Sequence, residues 1–179
     1  MTCLKFNQTI TAACRNAQPG VSTIYIANDS DVTAVTYNAG ETEITGISGT
    51  TASGATSGYF YKIEVNKESS GFVDTSEISV PDGRAAYTPS ITLKISNMDS
   101  TTREIFKSLA QATVKVIFKT VDNLYYLVGV DHGLDMTAGT WSSGTARTDF
   151  KGLEITLSGY ESEPAIQIDA DLIAALTVV

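Results

Sequence analysis

Between Tyr87 and Val130 the apolar positions change rhythm twice. Ile91, Leu93 and Ile95 alternate with Thr92, Lys94 and Ser96, the period-two signature of a half-buried strand. Asp99-Ser100-Thr101-Thr102-Arg103-Glu104 then supplies helix-start chemistry, with Thr101 as the expected cap and Glu104 reaching back to it. Ile105, Phe106, Leu109 and Ala110 follow as one apolar stripe, which predicts a helix over 101–112. Val114, Val116 and Phe118 restore the alternation, with Lys115 and Lys119 on the opposite, polar face. Asp122-Asn123 turns the chain into Leu124–Val128. A helix with one sticky face needs a sheet to lie on, so the segment predicts a β-sheet with a helix packed against it.

The rest of the chain reads as strands and turns. Val21 to Ala27, Thr33 to Tyr37 and Glu43 to Ile47 are expected strands, separated by Asn28-Asp29-Ser30-Asp31 and Asn38-Ala39-Gly40. Tyr59 to Lys67 and Phe72 to Val80 alternate strongly, and the spacing predicts that they pair as a long hairpin across Glu68-Ser69-Ser70-Gly71. Pro81-Asp82-Gly83 is a turn. Gly133 to Gly144 reads as a loop, and 145–150 with 153–158 as a last hairpin. Ile166 to Val179 is an apolar tail, either a strand or a short helix around 171–176. Residues 1–20 lack periodicity and form an N-terminal arm or segment, which leaves 21–179 as one β-rich domain. The fold class expected is mainly β with one flanking helix (α+β).

Composition sharpens this picture in two places. Residues 48–58 are small and polar throughout, too poor in apolar surface to order themselves, so a neighbour must order them or they stay loose. Charged residues make up only 18% of the 179, a depletion that suits surfaces covered by neighbouring subunits. The formal net charge of −8 repels phosphate and argues against specific nucleic-acid binding. Cys3 and Cys14 would close only a short loop and do not have zinc spacing, so free thiols are expected. The start shows no signal-peptide pattern, and no apolar run reaches the roughly 20 residues that span a bilayer.

Candidate chemistry is sparse. His132 follows Asp131, yet no nucleophile or second acid is spaced to complete a catalytic set. Glu161 and Glu163 beside Pro164 read as a solvated loop. Asn28-Asp29-Ser30-Asp31 lacks the glycine and distal glutamate of a calcium loop. Gly46, Gly49, Gly54 and Gly58 precede neither a lysine nor a helix, so no phosphate cradle is expected. Tyr59, Tyr61, Tyr125 and Tyr126 have no interleaved basic residues and are expected to pack within the sheets. No enzyme activity, cofactor or metal is anticipated.

Several segments together resemble a known family. They are Ser22–Asn28, Tyr59–Glu68, Met98–Ala110, Tyr126–Gly129, Lys151–Leu153 and Leu157–Ala165. The chain resembles the tail tube (major tail) proteins of long-tailed bacteriophages, and more closely small structural proteins from phages of Bacteroidota. The match covers about residues 20 to 168 and is a pattern of elements rather than one diagnostic motif. The resemblance implies an antiparallel β-sandwich or half-barrel of tail-tube type, flanked by one helix and a long hairpin or loop. It implies six copies closing into a ring, stacked rings, and a lumen through which DNA passes without specific binding.

Tail terminators, tail-tube initiators and secretion-system tube proteins share that fold. A head–tail connector or a capsid decoration protein is an alternative, and a carbohydrate-binding β-sandwich using exposed tyrosines and Trp141 is another. The lead reading places the protein in the virion, as part of a phage tail made in the host cytoplasm. Its partners would be other copies of itself and other tail or head–tail proteins, with no membrane. Within it, the 48–80 loop and hairpin would be the assembly element. Gly49, Gly54, Gly58, Tyr59, Tyr61 and Phe72 would lie between subunits.

Overall fold

A computed structural model describes residues 19–50, 58–65, 69–79 and 84–178. Most of the N-terminal arm, both cysteines, Gly54 with its loop 51–57, and the turn 80–83 fall outside the described residues.

The strands in chain order are β1 (Val21–Asn28), β2 (Val32–Tyr37), β3 (Glu43–Gly49), β4 (Phe60–Glu64), β5 (Gly71–Ser79) and β6 (Arg84–Ile95). Helix α1 (Ser100–Leu109) precedes β7 (Val114–Thr120), β8 (Tyr125–Val128), β9 (Asp135–Ser142), β10 (Gly152–Ser158) and β11 (Ile166–Ile168). Helix α2 (Ala170–Leu176) and β12 (Thr177–Val178) end the described chain. Among the described residues the chain is mainly β, with two sheets and two α-helices. The larger sheet runs β12-β4-β1-β7-β8-β11-β3-β2, and the smaller runs β5-β6-β10-β9.

The central strands of the larger sheet, β1 and β7, are buried on both faces, while β2 and β4 are largely exposed. Ile24, Ile26, Val116, Phe118 and Val128 point toward the smaller sheet and meet Ile91, Leu93, Leu153, Ile155 and Leu157 there. Tyr25, Ala27, Ile117 and Leu127 point the other way, into a second core with Ile44, Phe60 and Ile168. The C-terminal segment covers that second face. It leaves β11 between β8 and β3 and adds α2, whose Ile173 and Leu176 are buried. It then joins β4 through β12, with Thr177 opposite Phe60. The apolar tail is therefore strand, helix and strand in turn.

Helix α1 forms where its stripe requires. Leu109 is buried, and Ile105 and Phe106 pack against the shared core. Its cap is two residues earlier than expected. Asp99, not Thr101, accepts from the Thr102 amide and hydroxyl, both at 2.8 Å. A carboxylate makes both bonds at once, and they hold the Asp99 carboxyl below the usual range.

Three strand pairings differ from expectation. The described parts of Tyr59–Lys67 and Phe72–Val80 do not pair with each other. β4 lies between β1 and β12 in the larger sheet, while β5 pairs with β6 in the smaller, from Gly71 opposite Thr92 to Ser79 opposite Arg84. Alternation marks a strand but not its partner, and the Pro-Asp-Gly signal lay between the two strands that do pair. The expected loop 133–144 contains β9, which pairs with β10 along its length. Segment 145–150 is instead a loop held by Asp149, whose Oδ2 accepts from the Thr145 and Ala146 amides at 2.9 and 2.8 Å. Those two amides, Ala146 first, depress the Asp149 carboxyl.

Candidate assembly surface

The register of the smaller sheet sorts its residues by face. Leu153, Ile155 and Leu157 pair with Ile95, Leu93 and Ile91, and all but Ile95 are fully buried. Their neighbours therefore point outward: Ser90, Thr92 and Lys94 on β6, and Glu154, Thr156 and Ser158 on β10. β9 adds Asp135, Ala138, Thr140 and Ser142, and β5 adds Val73, Thr75 and Glu77. The result is a face of short hydroxyl and methyl side chains with few charges. Lys94 and Glu154 form an ion pair across it at 3.2 Å. Lys94 also stands over the Phe150 ring, 5.6 Å from its centre.

Both lateral strands of this sheet, β5 and β9, pair on one side only among the described residues. β5 exposes Val73 (62%) and Ile78 (69%). The distal half of the β5–β6 hairpin is exposed on both strands, from Thr75 to Ile78 and Arg84 to Ala86. An edge of that length is a template for another strand.

Two buried charges organise one end of the molecule. Lys115 is 5% exposed, although alternation placed it on a polar face. Its Nζ donates to the carbonyls of Gly129 (3.0 Å) and Val130 (2.7 Å) and pairs with Asp29 Oδ1 at 2.8 Å. Glu161, expected in a solvated loop, is 6% exposed. Its carboxylate accepts from the Asp131 amide at 2.8 Å and the His132 amide at 3.2 Å. Four consecutive residues, 129–132, are thus held by one cation and one anion. The His132 side chain stays exposed while its backbone does this work. Only Glu163 of the acidic pair is exposed as expected.

Beside this turn lies a cavity of about 170 Å³, lined among others by Tyr37, Glu41, Asp131, Glu161 and Glu163. Burial first, then these carboxylates, push the Tyr37 hydroxyl above its ordinary range. Among the described residues no group of three His, Cys, Asp or Glu side chains is arranged to hold a metal ion. No helix among them is long and apolar enough to cross a membrane.

The residues expected between subunits are largely engaged within one chain. A Cβ at Gly49 would stand 2.0 Å from the Asp31 carbonyl, and one at Gly58 2.6 Å from that of Thr177. These glycines admit backbone against backbone inside the subunit. Phe72 packs against Phe118 with the rings tilted by 30° and their centres 4.4 Å apart, and Tyr59 packs on the second core. Tyr61 lies at the surface, 41% exposed. Trp141 faces inward and meets Phe106 edge-on at 6.3 Å. The outward hydroxyls of β6, β9 and β10 were not singled out from the sequence. Each strand carries the signal, but only the register assembles it into a surface. Compared with known proteins, the chain matches no family model, no curated relative and no solved structure.

Proposed function

We propose that this chain is a structural subunit of a phage tail tube, of the β-sandwich tail-tube type, closing into six-membered rings that stack around a DNA channel. The observation that carries the reading is the smaller sheet. It is covered on one face only, and its two lateral strands β5 and β9 have open edges among the described residues. A ring of copies that pairs β5 of one subunit with β9 of the next makes one continuous barrel and hides those edges. The exposed β5–β6 hairpin then reaches the adjacent subunit or ring. The role is architectural, with no turnover.

Electron microscopy and light scattering of the purified protein test it. Rings and stacked tubes are expected. Val73→Lys, on the β5 edge, leaves the fold intact and reduces ring formation, because a charged edge resists strand addition. A single closed ring that never stacks moves the protein to the terminator or connector class. A monomer at high concentration that is also monomeric in its native particle overturns the reading. In that case a stand-alone binding domain replaces it.

A further inference from the structure

We propose that the larger sheet carries a site for one phosphate group, built by Lys119, Lys62 and the hydroxyls of Tyr25 and Tyr125. The inference goes beyond the tube reading and holds whether or not the chain assembles.

The register brings the site together. Glu64 on β4, Thr23 on β1, Lys119 on β7 and Tyr125 on β8 stand opposite one another in a row across four strands. Lys62 and Tyr25 pair in the next row of the same face. Chain order scatters these residues, and the register interleaves two lysines with two tyrosines. The face is that of the second core, in which Tyr25 is buried and against which Tyr125 packs. Lys62 and Lys119 rise on either side of β1, about 10 Å apart across the sheet, and their long side chains can converge over it.

The chemistry is that of an oxyanion receptor. Among the described residues Lys62, Lys94 and Lys115 each meet a carboxylate, whereas Lys119 meets none. Half-buried, Lys119 stands over the Tyr125 ring, 5.4 Å from its centre. A ring face attracts an ammonium but gives its N–H bonds no charged acceptor. The Tyr25 and Tyr125 rings lie 6.4 Å apart, and their hydroxyls hydrogen-bond each other. Burial first, then Tyr125, push the Tyr25 hydroxyl up, while Lys62 pulls it down. The Tyr25 phenol thus keeps its proton at neutral pH. In a phenol pair one proton bridges the two oxygens and the other is left to donate outward. An anion seated there meets that proton and two ammonium groups, and charge-assisted bonds of this kind are the strong ones.

Glu64 is the rival anion. It pairs with Lys62 at 2.9 Å and is 81% exposed, so it can swing away when a phosphate arrives. The net charge of −8 repels anions at long range and holds the affinity to about 1 mM without altering the contacts.

Calorimetric titration of the purified chain with inorganic phosphate, against sodium chloride at matched ionic strength, tests the site. Saturable binding of one phosphate per chain is expected. Lys119→Met should weaken it about tenfold, and Lys119→Arg, which keeps the charge, should retain most of it. Tyr125→Phe keeps the ring under Lys119 but loses a hydroxyl, and should weaken binding about threefold. Glu64→Gln should tighten it about two- to fivefold, the worth of an exposed ion pair. Urea unfolding without phosphate separates a lost site from a lost fold, and Tyr125→Phe and Glu64→Gln decide the matter if Lys119→Met does not fold. Adenosine monophosphate distinguishes the source. Binding equal to that of phosphate assigns a free oxyanion, and tighter binding assigns a phosphate monoester whose base adds contacts on the tyrosine face. Binding by Lys119→Met or Tyr125→Phe equal to wild type overturns the site. A wild type that assembles yet binds no phosphate also overturns it, and leaves the tube reading standing.

Discussion

The two sheets of this protein put the same alphabet to opposite uses. In the larger sheet, β1 and β7 are buried on both faces, and even a lysine is drawn inside. In the smaller sheet, β6 and β10 alternate between fully buried aliphatics and half-exposed hydroxyls. Their ion pairs show the difference most plainly. Lys115–Asp29 places a nearly enclosed ammonium between a carboxylate and two backbone carbonyls. Lys94–Glu154 lies on an open face. A charge pair is structural in the first setting and changes only the surface in the second. The larger sheet thus encloses charge at its centre, and the smaller sheet shares the core on one face and keeps its other face and two edges open among the described residues.

The strongest way to break that contrast is Lys115→Ala. It strands the Gly129 and Val130 carbonyls, the Asp29 carboxylate being half exposed, and should cost about 1–3 kcal/mol in a urea or thermal unfolding experiment. A loss under about 1 kcal/mol would mean that the site relaxes or hydrates, as a surface pair does. Leu109→Ala, at the helix contact with the shared core, should cost about 2–5 kcal/mol. A much smaller value would show that α1 is dispensable to that core. Glu161→Ala removes the acceptor of two amides and should cost about 1–3 kcal/mol, read by the same unfolding curves. Hydrogen exchange should then quicken at Asp131 and His132 ahead of the rest of the chain. Replacing Lys94 by Ala should change stability by about 0–1 kcal/mol, since its partner stays hydrated.

The smallest effect is a pH dependence at the α1 cap. The Asp99 carboxyl is lowered in the folded state, so its contribution is fully present above the ordinary carboxylate pKa. It is lost as pH falls through the folded value. The stability difference between wild type and Asp99→Ala should therefore shrink on acidification below about pH 4. A difference that stays constant to lower pH would assign the cap to another group.

Where one face of an element met water, the sequence was easy to read. β6 and the apolar stripe of α1 were found within a few residues, because period two and period 3.6 were both clean. The doubly buried strands were also found, but Lys115 misled. Its place in the alternation said solvent, and only its burial beside Asp29 and the 129–130 carbonyls shows otherwise. Glu161 failed for the same reason. A carboxylate opening a Glu-Ser-Glu-Pro stretch reads as solvated until the folded turn brings two amides to it. β9 was hidden because its Thr, Ala and Gly residues carry little apolar signal, and an edge strand with an open face needs little. Strand partners were the least legible feature, since β4 and β5 are adjacent in sequence yet belong to different sheets. The candidate surface has the same origin. Its hydroxyls lie on strands far apart in the chain and meet only through register.

The closing contact of β12 on β4 has a kinetic consequence. Thr177 pairs with Phe60, and β1 pairs with β7, so the larger sheet is stitched from segments distant along the chain. Loop closure of that kind is slow, on the scale of milliseconds to seconds for strand-rich topologies. The β5–β6 and β9–β10 pairs are local and need no such search. Local closure is thus expected to precede the larger sheet, which would leave the lateral edges bare while chains can still meet. How fast the far ends of the chain find each other, against how often two chains collide, then decides between orderly growth and tangled aggregate.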